Sequence, residues 1–162
     1  MNEFVSPVPL PGPDTVAPGI CREIYPMPMF VVLPTGDLAA SKEFWIRGLG
    51  FADLFSAPGE QVTHLRRWAF QDVLLVPGVP AASAAVQGVS FAAVLNQLAD
   101  IATRCEELVP GCTSGPEVMP WNSVELTVTT PENARVTMTA ARPLDPASPE
   151  ADNLRDWGIP LP

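Results

Sequence analysis

Several side chains with the chemistry to hold or move a proton lie two residues apart. His64, Arg66 and Trp68 occur in HLRRW, and Asp72 and Leu74 follow in QDVLLV. A spacing of two puts the first three on one face of a strand, opposite Leu65, and sets Asp72 and Leu74 against Val73 and Leu75 on the next. An imidazole near a carboxylate can serve as acid or base, and the same pair can orient a polar ligand. His64 is the only histidine. It stands open to three readings: a solvated strand residue, a binding group or an acid–base. A second set is Ser123, Glu125 and Thr127, opposed to Val124, Leu126 and Val128, with Trp121 just before it. Arg135, Thr137 and Thr139 oppose Val136 and Met138, and Ser90 and Ala92 oppose Val89 and Phe91. Two members have structural alternatives. Trp68 stacks on a ligand or packs under the N-terminal arm, and Glu125 faces a ligand or pairs with Arg66 or Arg135.

Strands and helices must carry these groups, and their order repeats. Met29 to Leu33 is a short apolar run stopped by Pro34 and Gly36. Asp37 suits a helix N-cap, and a helix is expected over Leu38 to Arg47 with Leu38, Ser41, Phe44, Trp45 and Leu49 on one stripe. Phe51 to Ser56, Val62 to Trp68 and Phe70 to Val76 read as three strands. The pattern then returns: a strand at Val89 to Val94, and Asn96 as N-cap. Leu98, Ile101, Cys105 and Leu108 lie on one helix face, and strands follow at Pro116 to Met119, Trp121 to Thr129 and Ala134 to Ala141. The chain divides into a Pro-rich arm (1–25), one module (26–80), a second (81–141) and an acidic, Pro-rich tail (142–162) with an amphipathic stretch near Leu154 and Trp157.

Composition narrows the function classes. At 162 residues and 47% hydrophobic content the chain can bury a core. Nine Lys and Arg against eighteen Asp and Glu, a net charge of −9, disfavour a nucleic-acid partner. That charge serves solubility or attracts a cationic ligand. No window reaches the eighteen apolar residues of a membrane span, and the N-terminus lacks the basic and apolar regions of a secretory signal. Three cysteines, Cys21, Cys105 and Cys112, read as free thiols in a reducing cytoplasm.

Three stretches resemble one superfamily: LPTGDLAASKEFWIRGLGF (33–51), HLRRWAFQDVLLVPG (64–78) and PWNSVELTVTTPENARVTMT (120–139). They are similar to the vicinal oxygen chelate proteins, which include glyoxalases, bleomycin-resistance proteins and ring-cleaving dioxygenases. The resemblance implies an α+β fold. Two βαβββ modules would form a curved mixed sheet around a cleft, with helices outside, and a homodimer would share its cavities. Where metal-using members place His or Glu donors, this chain has Phe30, Gly88 (within one residue) and Thr137, so no metal or other cofactor is expected. With Phe30 inward, Val32 is inward too. The expected ligand-binding set is then Phe30, Val32, His64, Arg66, Trp68, Asp72, Leu74, Ser90, Trp121, Glu125, Arg135 and Thr137. Such a cleft suits a large, partly aromatic and partly polar small molecule. The expected function is non-catalytic sequestration of a natural-product antibiotic. The alternative is a metal-independent enzyme with His64 as acid or base.

Overall fold

A computed structural model describes residues 5–23, 29–59, 61–83, 88–159 and 161. The first module is β1 (Phe30–Thr35), α1 (Leu38–Glu43), a π-helical turn (Phe44–Gly48), β2 (Ala52–Ser56), β3 (Thr63–Arg67) and β4 (Gln71–Pro77). The second is β5 (Gly88–Ala93), a 3-10 turn (Leu95–Gln97), α2 (Leu98–Leu108), β6 (Thr113–Val118), β7 (Ser123–Thr129) and β8 (Arg135–Ala141). The tail adds α3 (Pro149–Asp156), capped by Ser148. The expected βαβββ order is present twice. The strands divide into two four-stranded mixed sheets, β1-β4-β3-β2 and β5-β8-β7-β6, each with one parallel pair at its β1 or β5 edge.

Alternation decides which face each sheet buries. Leu65, Val73 and Leu75 in sheet one, and Leu126, Val128, Val136 and Met138 in sheet two, are fully buried. They join one hydrophobic core with the helix residues Phe44, Trp45, Leu98, Ile101 and Cys105. Trp45, Phe51 and Phe91 meet edge to face at centroid separations of 4.9, 6.0 and 5.1 Å, so one aromatic cluster spans both modules. The helices approach closely at Gly48, where a Cβ would stand 3.0 Å from Cys105 Sγ.

Polar clamps reinforce this junction. The buried Glu132, in the turn between β7 and β8, accepts from Trp45 Nε1 at 2.7 Å and from Ser41 Oγ at 2.9 Å. Arg67, also buried, donates to Leu49 O, Ala92 O and Gln97 Oε1. Burial, with Arg104 nearby, pushes its pKa down to about 10, so it remains a cation at neutral pH. Gln71 Oε1 accepts from the Ala92 N–H, so both main-chain groups of Ala92 on the β5 edge are capped by module-one side chains.

The two helices begin differently. Asp37 caps α1 as expected, accepting from the Ala40 N–H at 2.9 Å. Asn96 does not cap α2. The 3-10 turn carries the chain into Leu98 without a side-chain cap, and the Asn96 amide donates to Thr15 O of the N-terminal arm. All three cysteines are free thiols.

Candidate functional site

The helix-free faces of the two sheets carry the polar groups. In sheet one, Phe30, Asp72 and Arg66 lie directly across from one another, as do Val32, Leu74 and His64. Cross-strand partners share a face, so these six form one surface. Asp72 is its buried centre: Oδ1 lies 2.7 Å from His64 Nε2 and accepts from Arg66 Nε at 2.7 Å. The side chains of Arg66 and Asp72 are 1% and 0% exposed, while His64 keeps 18%. Arg66 Nη1 also donates to Cys21 O and Glu23 O, so the pair lies beneath the end of the N-terminal arm. Asp72 Oδ2 is buried without a hydrogen-bond partner among the described residues. Around this centre Phe30, Val32 and Phe55 are about half exposed, at 46%, 50% and 52%.

Phe55 was not singled out by its sequence. Period two from Phe51 would put Phe51, Asp53 and Phe55 on one side, yet Phe51 is in the core. A bulge between Asp53 and Phe55 leaves Leu54 unmatched and sets Phe55 opposite His64. One extra residue reverses the side-chain parity after it. Trp68 departs from the expected face for a related reason. β3 ends at Arg67, and Trp68 takes a left-handed backbone with φ 51°, which breaks the alternation. Its ring is buried, with the Arg67 guanidinium 5.0 Å from its centroid, and its carbonyl accepts from the Cys21 N–H. Its carbonyl is tied to the arm, and its buried ring adds no exposed surface to the open face.

Sheet two presents a different surface. Ser90, Thr137 and Thr127 form one cross-strand row; Ala92, Thr139 and Glu125 form the next. Ser90 Oγ and Thr139 Oγ1 are 2.7 Å apart. Glu125 Oε1 accepts from Trp121 Nε1 at 2.9 Å and from Ser123 Oγ at 3.0 Å, and these bonds replace the ion pair with Arg66 or Arg135 held open above. Trp121 is 47% exposed, its indole held by that carboxylate. Arg135 lies opposite Gly88 and is exposed. The expected residues thus fall into two groups: Phe30, Val32, His64, Arg66, Asp72 and Leu74 on one sheet, and Ser90, Trp121, Glu125, Arg135 and Thr137 on the other.

The positions of a metal-holding relative can be tested directly. Phe30 stands across from Asp72, Gly88 from Arg135 and Thr137 from Ser90. Among the described residues no three His, Cys, Asp or Glu side chains converge. A divalent ion needs about three such donors, and this donor set does not fit one.

No family model and no curated protein matches the chain. Solved structures do. An integron cassette protein from the mobile metagenome of a Halifax Harbour sewage outfall aligns with a TM-score of 0.56 and 20% identity, over 68% of this chain and 95% of its own. The fosfomycin resistance protein FosX of Listeria monocytogenes, complexed with Mn(II) and sulfate, aligns at 0.58 and 12% identity, over 80% and 95%. A glyoxalase/bleomycin resistance protein from a Streptomyces species aligns at 0.54 and 19% identity, over 67% and 96%.

Proposed function

We propose that this chain, which has the fold of the vicinal oxygen chelate superfamily, is an antibiotic-resistance protein that acts by binding a natural-product drug and lowering its free concentration. The observation that carries this reading is the open face of sheet one. Phe30, Val32 and Phe55 offer exposed apolar surface beside a partly exposed imidazole, while the Arg66–Asp72 pair beneath is joined through Asp72 Oδ1. Apolar walls with few polar groups suit a large, partly aromatic ligand. Two structural neighbours, a fosfomycin resistance protein and a glyoxalase/bleomycin resistance protein, support a role in resistance. Sequestration needs no acid or base, only protein in excess of drug and a low Kd.

The same surfaces support a homodimer as part of this reading. Each chain leaves two sheet faces uncovered by its helices, and a second copy would bring sheet one of one protomer over sheet two of the other. Light scattering on the purified chain should return twice the monomer mass.

One contact favours a second reading, in which His64 acts as acid or base on the bound molecule. Its Nε2 is held 2.7 Å from Asp72, so the ring is oriented. Against it, Asp72 already carries the Arg66 guanidinium, so the carboxylate charge is balanced before the imidazole is reached. A titration with glycopeptide, quinone and enediyne-type compounds, followed by tryptophan fluorescence and then mass spectrometry, separates the two. Sequestration predicts quenching that weakens in Trp121→Phe and a ligand mass unchanged after long incubation. A changed mass, lost in His64→Ala with binding only weakened, establishes the enzyme. No quenching by any compound at micromolar protein would sink the sequestering role.

A further inference from the structure

The N-terminal arm touches both open faces before β1 begins. Its end is fastened to sheet one: the Cys21 N–H donates to Trp68 O at 2.8 Å, and Arg66 holds the Cys21 and Glu23 carbonyls. Its earlier part makes its own turn, in which Thr15 N–H donates to Gly12 O and Thr15 Oγ1 to Leu10 O. Between this turn and sheet two lies a cavity of about 270 Å³. Val8, Pro9, Pro11 and Thr15 roof it, and Ser90, Ala92, Thr139 and Ala141 form its floor.

Two features of the cavity define an occupant. No charged side chain lines it among the described residues. An ion seated against this lining would meet no charged partner, so the site favours neutral molecules. The floor carries one polar pair, Ser90 Oγ and Thr139 Oγ1 at 2.7 Å. Two hydroxyls bring two hydrogens; one bridges them and the other is free to turn upward.

The roof is also separable from the floor. Among the described residues, one hydrogen bond, Asn96 Nδ2 to Thr15 O at 3.3 Å, ties residues 5–15 to the body. Pro7, Pro9, Pro11 and Pro13 stiffen this stretch and remove four N–H groups that could have tied it down. A stiff strut, anchored at Cys21 to Glu23 and lightly held beyond, can lift without disturbing either sheet.

We propose that the arm is the movable roof of a pocket on sheet two that takes a small neutral molecule with an apolar body and a single hydrogen-bonding group. This deepens the small-molecule reading above and rests on it. The test uses the neutral arylamine 1-aminoanthracene, whose fluorescence rises on entering an apolar site. The full chain should bind it saturably. A variant lacking residues 2–14 should bind about tenfold more weakly or worse, because the arm's apolar cover is gone. Ala141→Phe, which fills the floor, should abolish binding. Thr139→Val, which removes one hydroxyl, should weaken it about threefold to tenfold. Unchanged affinity without residues 2–14 overturns the roof alone, and tighter binding makes the arm a plug in the ligand's place. Intact binding in Ala141→Phe places the site elsewhere. If no form binds the arylamine or any drug, the small-molecule reading itself fails.

Discussion

The two halves share one topology and use it for different surfaces. On sheet one the polar groups are sunk: Arg66 and Asp72 are buried beneath the arm, and the exposed positions around them are apolar. On sheet two they stand at the surface, with hydroxyls in rows and Glu125 bonded to an exposed Trp121. The opposite faces show no such divergence, because both feed one core. Packing constrains the shared side tightly, whereas an open face need only keep its backbone pairing. The chemistry therefore diverges where the fold permits it.

The largest effect should come from the shared side. Trp45 is fully buried, joins aromatic residues of both modules, and donates to Glu132. Trp45→Ala leaves a cavity and an orphaned carboxylate oxygen, at a cost of about 3–5 kcal/mol. Urea unfolding should stay a single transition with a lower midpoint, since one core serves both halves. Two separated transitions would show that the modules are independent and break the comparison at its base.

The open faces should respond unequally. Asp72→Ala leaves the Arg66 guanidinium buried without its carboxylate, and breaking such a pair costs about 3 kcal/mol or more. The arm should loosen with it, since Arg66 also holds Cys21 and Glu23, and limited proteolysis should cut earlier between residues 10 and 23. Glu125→Ala breaks bonds at a wetter surface and should cost under about 1 kcal/mol. Equal losses would mean that sheet two hides its polar groups as sheet one does.

Much of this was legible from residue pattern, and the failures share a cause. The switch from period two to helical spacing and back marked both modules, and the clean alternation of β7 and β8 assigned their faces. Alternation failed where the backbone left the regular strand. A bulge turned Phe55 outward, and a left-handed residue turned Trp68 inward. Neither carries a glycine or proline that would have announced it. Asn96 has the right type for a cap but was drawn to the arm. The arm's anchors are main-chain carbonyls, which every residue possesses, so no residue type pointed to them. Proline density pointed to an extended arm, and its apolar residues left open whether it lies on the body, on a partner subunit or free.

The helix starts offer a smaller test of the same contrast. Asp37→Ala removes a cap bond and should cost about 1 kcal/mol in urea unfolding. Asn96→Ala removes no cap, so it should cost under about 0.5 kcal/mol. It should show instead in the arm, as faster proteolysis near Thr15. A larger loss for Asn96 than for Asp37 would mean that arm docking contributes more to stability than the α1 cap.

The smallest effects lie at low pH, where, among the described residues, each module has one carboxylate held below its ordinary value by different means. For Asp53, burial pushes the pKa up, but hydrogen bonds from Lys42 and Ser56 and the Lys42 charge outweigh it. For Glu106 the Thr113 hydroxyl leads, followed by the Gly111 and Thr113 N–H groups. A carboxylate with a lowered folded pKa stabilises above its unfolded value, about 4, and that contribution is lost as pH falls through the folded value. Both Asp53→Asn and Glu106→Gln should therefore flatten the loss of stability below about pH 4. Salt distinguishes them. The Lys42–Asp53 pair is partly exposed and ionic, so its share of the acid limb should shrink between low and high ionic strength. Glu106 is held by neutral donors, and its share should persist. Equal salt sensitivity in the two variants would mean that Glu106 is stabilised by charge and not by hydrogen bonds, and the modules would then treat their acids alike.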